Sequence, residues 1–181
     1  MMIARWWHGL STHIFYLATP PRIGYNSPSV HQRKDKSPNM VIVKKVCAYI
    51  THNNRLLVFS QPKAPEAGIQ VPGGSVEDGE TLEEAVLREA YEETGLTGLV
   101  INGYLGEQKR LFLPDETHHR HFFHLTYPHT PPETWEHIER FRSDGNPTPI
   151  VFSLFWADIH HAPRLIGQMD AYLLVLQSIM G

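Results

Sequence analysis

The segment 81–94 has both helix ends written into the chain, and this constrains what can form around it. Thr81-Leu82-Glu83-Glu84 is a capping box, in which the threonine hydroxyl and the glutamate three residues on each satisfy a backbone N–H left free at a helix start. Gly95 stands where a left-handed C-terminal residue belongs. At ~100° per residue, Val86, Leu87, Ala90 and Tyr91 share one side of the predicted helix, and Glu89, Glu92 and Glu93 lie roughly opposite. Carboxylates at spacings of three and four repel one another, and Arg88, four before Glu92, offsets only part of that. Taken alone, such a helix reads as a solvated acidic face. Gly73-Gly74 shifts the balance, because two glycines let the backbone turn tightly and bring carbonyl oxygens close to the carboxylates. Oxygen donors of these two kinds are what a hard, six-coordinate magnesium ion takes.

The flanking pattern is mostly strand. Residues 41–43 and 46–50 predict a strand, His52-Asn53-Asn54 a turn and residues 55–59 the returning strand of a hairpin. Short strands are expected at 69–71, 99–105, 109–113, 120–127 and 150–159, and a closing helix at 165–180. Two groups of strands with two helices imply an α/β class and an α/β/α layered sandwich.

Residues 74–96 resemble the Nudix box throughout. That box is a glycine, five residues, a glutamate, seven residues, Arg-Glu, an apolar residue, any residue, Glu-Glu, any residue, a glycine and an apolar residue. Here the positions are Gly74, Glu80, Arg88-Glu89, Ala90, Tyr91, Glu92-Glu93, Thr94, Gly95 and Leu96. Seven fixed positions at ~6% usage each match by chance less than roughly once in a million chains of this kind, which outweighs the solvated-face reading. The resemblance implies a Nudix-type α/β/α sandwich with a mixed sheet, over about 41–180. It further implies a Mg2+-dependent hydrolase, Mn2+ also serving, that cleaves a phosphoanhydride bond in a nucleoside diphosphate linked to another moiety. On that resemblance Glu89, Glu92, Glu93 and the Gly73 carbonyl are the metal ligands. Arg88 orients a glutamate of the cluster, and Glu80 is a supporting carboxylate. The water's proton goes to Glu89 or to a group in a loop after the box. Another metal-binding or catalytic glutamate is expected near 133–139, with Glu136 first and Glu139 second. The family's subgroup signatures are missing, so the substrate class stays open among nucleoside triphosphates, nucleotide sugars, dinucleotides and capped RNA. Two other readings keep the fold without hydrolysis, an isomerase and a nucleotide-sensing regulator, and the complete set of glutamates weighs against both.

Outside the box, 118–124 is rich in histidine. Strand alternation puts His119, His121 and Phe123 on one face and Arg120, Phe122 and His124 on the other. Alternate histidines without cysteine partners are a weak zinc signal; contact of Arg120 or His121 with a substrate phosphate is the stronger functional expectation, against ordinary surface or core histidines. Trp135 is a candidate to stack on a base, against ordinary core packing. Phe152, Leu154 and Trp156 alternate as core, and Cys47 reads as a small buried residue.

Composition bounds the rest. A net charge of −3 does not suit a surface that coats nucleic acid, so the expected partner is a small nucleotide-derived molecule, with capped RNA kept open and a homodimer admitted. No apolar run nears the ~20 residues of a membrane span. A single cysteine suits a reducing, cytoplasmic setting. Residues 1–39 carry Pro20, Pro21, Pro28 and Pro38 among polar residues and read as a flexible or non-native extension before a domain at 40–181, with Met40 a natural start. Arginines without an acidic residue before Asp35 leave organelle targeting open, and Trp6, Trp7, Phe15 and Tyr16 leave open an arm packed on the domain.

Overall fold

The computed structural model describes residues 40–139 and 148–181; the expectations for 1–39 lie outside the described residues. The first strand, β1 (Val41–His52), and the second, β2 (Arg55–Ser60), form the expected hairpin, closed at Thr51↔Leu56 and His52↔Arg55. Asn53 takes the left-handed φ of 53° that the tight turn demands. Then come α1 (Leu82–Thr94), β3 (Val100–Leu113), β4 (Glu116–Thr126), β5 (Thr134–Glu139), β6 (Ile150–Asp158) and α2 (Leu173–Met180). The strands make one six-stranded sheet in the order β3-β4-β1-β2-β6-β5. β1 and β4 run parallel, and the other pairs antiparallel, so the sheet is mixed as expected.

Apolar residues on neighbouring strand positions separate into two cores. Val46, Ala48, Ile50, Leu57, Phe59 and Phe123 pack with Ala85, Val86 and Ala90 of α1. Cys47, Tyr49, Leu56, Val58 and Phe122 pack with Leu176 of α2. The central strands are covered on both faces, which is why 46–50 and 56–59 read as continuous apolar runs. Phe152 and Leu154 are buried in the α1 core, with Trp156 packed at its margin.

Several boundaries differ from the sequence reading. Segments 99–105 and 109–113 are one strand, β3, interrupted by register shifts at Ile101/Gly103, Tyr104/Gly106 and Leu111/Leu113. The strand expected at 120–127 begins at Glu116, and β1 pairs along its length from Val41↔Glu116. Residues 69–71 make only single bridges, Phe59↔Gln70 and Ile69↔Leu165. The closing helix is limited to Leu173–Met180, because Gly167 and Gln168 take positive φ values of 67° and 61°. β5 has no counterpart in the apolar pattern of the sequence. Its polar Thr-Trp-Glu-His-Ile-Glu run pairs antiparallel with β6 at the sheet's edge and alternates between exposed and half-buried residues. No helix among the described residues is long and apolar enough to cross a membrane.

Candidate active site

The capping box forms as read. Thr81 Oγ1 accepts from Glu84 N, and Glu84 accepts from Thr81 N at 2.9 Å. Gly95 ends α1 in the left-handed conformation, φ 73°, with its N–H on Tyr91 O. The division of helix faces is corrected. Ala85, Val86, Glu89, Ala90 and Glu93 are buried together, whereas Leu87 and Tyr91 are exposed. Glu93 follows Val86 by seven residues, two turns, so it sits on the sheet-facing side rather than opposite.

Burying carboxylates on the sheet-facing side requires compensation, and the glycine loop provides part of it. Residues 72–76 run against β1, with Val46 N on Gly74 O, Ala48 N on Pro72 O and Val76 N on Lys44 O. Pro72 and Gly74 therefore turn their carbonyls to β1. Gly73, between them, turns its N–H the other way, to Glu93 Oε2 at 2.8 Å. Gly73 is thereby held against the acidic cluster. Gly74 lies against the Glu89 carboxyl, and a Cβ there would overlap it; a Cβ on Gly73 would overlap Val46 O. Both glycines are needed for the backbone to come this close.

Arg88 ties the cluster together. Its Nε and Nη2 hold Glu80 Oε1 and Oε2 at 2.8 and 2.9 Å, a bidentate pair, and Nη2 also donates to Ser75 O at 2.8 Å. Its Nη1 bridges Glu89 Oε1 and Glu92 Oε2, each at 3.0 Å. Bonding to Arg88 holds the Glu80 carboxyl below its ordinary range, and the same bond raises the Arg88 guanidinium. Glu89 and Glu93 go the other way. Burial raises both; Glu89's rise is countered by Arg88, while Glu93, under the charges of Glu89 and Glu139, is pushed well above the usual carboxylate range. Lys45 donates to Ser75 Oγ at 2.6 Å, and burial lowers its amine against the opposing pull of Glu89. Glu89, Glu92 and Glu93 together with the Gly73 carbonyl would supply the kind of oxygen donors that a hard divalent cation takes.

The structure does not bring every candidate to this cluster. On β5, Trp135, His137 and Glu139 form the half-buried face and Glu136 the exposed one. Glu136, placed first by sequence, therefore points away, because period-two alternation separates it from its neighbours. Glu139, placed second, lies on the side whose charge reaches Glu93. The Trp135 indole N–H donates to Thr94 O at 2.8 Å, which secures the end of α1 in the core. Arg120 is buried on the α2 face, with its guanidinium on Gly167 O. His121 lies on the other face, beside Tyr104, so these two candidates are on opposite sides of the sheet. Cys47 is buried, which pushes its thiol up to about 11. Two neighbours of His121 escaped the sequence reading, Glu107 and Tyr104, because the bulges in β3 hide which way its residues point.

The chain belongs to the NUDIX domain family, whose model matches residues 42–172. It is 50% identical over 48 residues to an ADP-ribose pyrophosphatase of Methanocaldococcus jannaschii, covering 26% of this chain and 28% of that protein. It is 39% identical over 70 residues to an ADP-sugar pyrophosphatase of Mus musculus, covering 38% of this chain and 32% of that protein. The matched stretches thus span about a third or less of these relatives' length. The MutT protein from Methanosarcina mazei Go1 shares the fold, with a TM-score of 0.54 at 20% identity over 77% of this chain and 95% of that one.

Proposed function

We propose that this chain is a divalent-metal-dependent hydrolase that splits the pyrophosphate linkage of a nucleoside diphosphate joined to a second moiety. The observation that carries this reading is the arrangement around Arg88. One guanidinium holds Glu80, Glu89 and Glu92 together, while the Gly73 N–H holds Glu93. A solvated acidic face would leave these side chains apart in water; here Glu89 and Glu93 are 4% and 9% exposed. Glu89, Glu92, Glu93 and the Gly73 carbonyl would hold Mg2+, with Mn2+ serving in its place. When bound, the ion neutralises phosphate charge and makes a water acidic enough to attack at neutral pH.

The residues do the positioning. Glu80 locks Arg88, and Arg88 fixes the rotamers of Glu89 and Glu92, so the carboxylates are arranged before substrate arrives. Water attacks one phosphorus in line with the bridging oxygen, the P–O bond breaks, and the water's proton passes to a carboxylate. Glu89, against Gly74 and bonded to Arg88, is one candidate for that role; Glu139 on β5 is the second candidate. Two relatives are named for ADP-ribose and ADP-sugars, and these compounds are the first substrates to try. The domain is proposed to be residues 40–181.

The test is a panel of ADP-ribose, ADP-sugars, UDP-sugars, dinucleotides, nucleoside triphosphates and capped RNA, incubated with Mg2+ and assayed for nucleotide or phosphate release. Turnover of one class that stops in excess chelator is expected. Binding without turnover of any of them would return the chain to the nucleotide-sensing reading.

A further inference from the structure

A second group of ligand-type side chains converges away from the glutamates. Glu107 of β3 and His119 and His121 of β4 each offer a ligand atom, and these atoms all lie within 4.8 Å of one another. A backbone irregularity produces the grouping. Tyr104 stands opposite Phe123, but the register then slips by one residue, so Gly106 meets Phe122 and Glu107 meets His121. Without the extra residue Glu107 would fall opposite Arg120, on the other face; one inserted residue flips the parity of everything after it. Gly106 permits the bulge, with a φ of 148° and the Tyr172 ring lying where a Cβ would go. The Tyr172 hydroxyl then donates to Glu107 O at 2.7 Å and holds the displaced backbone.

Two buried ring nitrogens there, His119 Nε2 and His121 Nε2, have no hydrogen-bond partner among the described residues. Glu107 Oε2 is 3.0 Å from His119 Nε2 and 3.7 Å from His121 Nδ1. The closer approach has hydrogen-bond length without hydrogen-bond alignment, for His119 Nε2 is buried without a hydrogen-bond partner among the described residues. His121 is 6% exposed. Its Nδ1 is 3.0 Å from the Tyr104 hydroxyl, and its Nε2 is likewise buried with no hydrogen-bond partner among the described residues. Leaving buried nitrogens unsatisfied is costly. A ring nitrogen without a hydrogen-bond partner, on a ring that a hydroxyl orients through its other nitrogen, has the geometry of a metal ligand.

We propose that Glu107, His119 and His121 form a second metal site, for a borderline divalent cation of the Zn2+ or Co2+ class, separate from the glutamate cluster. Two imidazoles and one carboxylate make a three-ligand set, and the exposed Glu107 leaves its remaining positions open to water. Selectivity follows from the donors. Mg2+ takes oxygen ligands, whereas nitrogen ligands favour the later transition metals. Lys44, beside His119 on β1, and Lys109, opposite it on β3, keep the region from attracting cations by charge alone. Val46 separates the groups, paired to His121 on one side and bonded to Gly74 on the other. That is two strand spacings, roughly 10 Å, beyond the ~4 Å of a shared two-metal centre.

The test is a titration of the full chain with Co2+ in excess Mg2+, followed by visible absorption. One equivalent should produce the intense bands of a low-coordinate, nitrogen-ligated ion, and Zn2+ should displace it. The bands should persist in Glu93→Gln, disappear in His119→Ala, and require more than about tenfold higher Co2+ in Glu107→Gln. Glu107 is exposed and His119 partly so, and circular dichroism without metal will show whether each variant folds. Should His121→Ala fail to fold, the other two variants still decide. Absence of the bands in the parent, their survival in both His119→Ala and Glu107→Gln, or their loss in Glu93→Gln would each overturn the proposal. So would a site where inorganic phosphate, rather than Co2+, perturbs the His119 and His121 proton resonances.

Discussion

Arg88 engages Glu80, Glu89, Glu92 and Ser75 O through Nε, Nη1 and Nη2 together. A lysine there keeps the charge and loses the fork. Arg88→Lys is expected to leave the fold intact and lower kcat/KM on the order of 100-fold, the usual cost of misplacing a reacting group by about 1 Å; steady-state kinetics beside a thermal melt will show it. Glu92→Gln and Glu93→Gln should each reduce turnover about 100-fold or more. Glu93→Gln should also hold or raise the melting temperature in chelator, while shrinking the rise that Mg2+ produces. A parent-like response to Mg2+ would mean that Glu93 holds no metal. The pH dependence has a definite sign. Burial raises the folded-state carboxyls of Glu93 and Glu89 above their unfolded values, so the native state binds more protons than the unfolded one. Their contribution is therefore favourable below the ordinary carboxylate value and declines as pH rises from there through the raised values. Glu80, held low by Arg88, opposes this. Denaturant melts of parent and Glu93→Gln in chelator isolate the Glu93 part: the parent should lose stability relative to the variant as pH rises through that window.

At the scale of elements, α1 was legible because its signals are local. Thr81, Glu84 and Gly95 act on backbone groups within a turn of themselves, and all three do what their spacing implies. Thr81→Ala should cost about 1 kcal/mol in a chemical melt, the ordinary worth of such a cap. The helix's faces were less legible, since apolar Leu87 and Tyr91 are exposed while charged Glu89 and Glu93 are buried. Residue type misleads where a site holds charges beneath the surface. β3 and β5 failed for another reason. Bulges break the period-two pattern of β3, and an edge strand such as β5 needs no apolar run to pair with its neighbour. Gly106→Ala should destabilise by about 1–3 kcal/mol, because its Cβ meets the Tyr172 ring and strains the bulge. The same melt, repeated with saturating Co2+, should show a smaller metal-induced rise than the parent.

For the whole molecule, Met40–Gly181 clusters as one compact unit that contains all the candidate site residues. A chain beginning at Met40 is therefore expected to fold and to turn over the same substrate as the full chain, measured side by side at equal concentration. If it folds but has lost turnover, residues before Met40 contribute to the site. By itself the sequence determined the family, the ends of α1, the hairpin at Asn53 and the Glu80–Arg88–Glu89–Glu92–Glu93 set, because each of these is encoded by spacing along a short stretch of chain. Only the tertiary structure decided that Glu139 rather than Glu136 faces α1, that Arg120 and His121 lie on opposite faces, and that Glu107 joins the histidines. Those outcomes depend on strand pairing, edge position and a one-residue slip in register, which arise between segments far apart in sequence and leave no mark on either one alone.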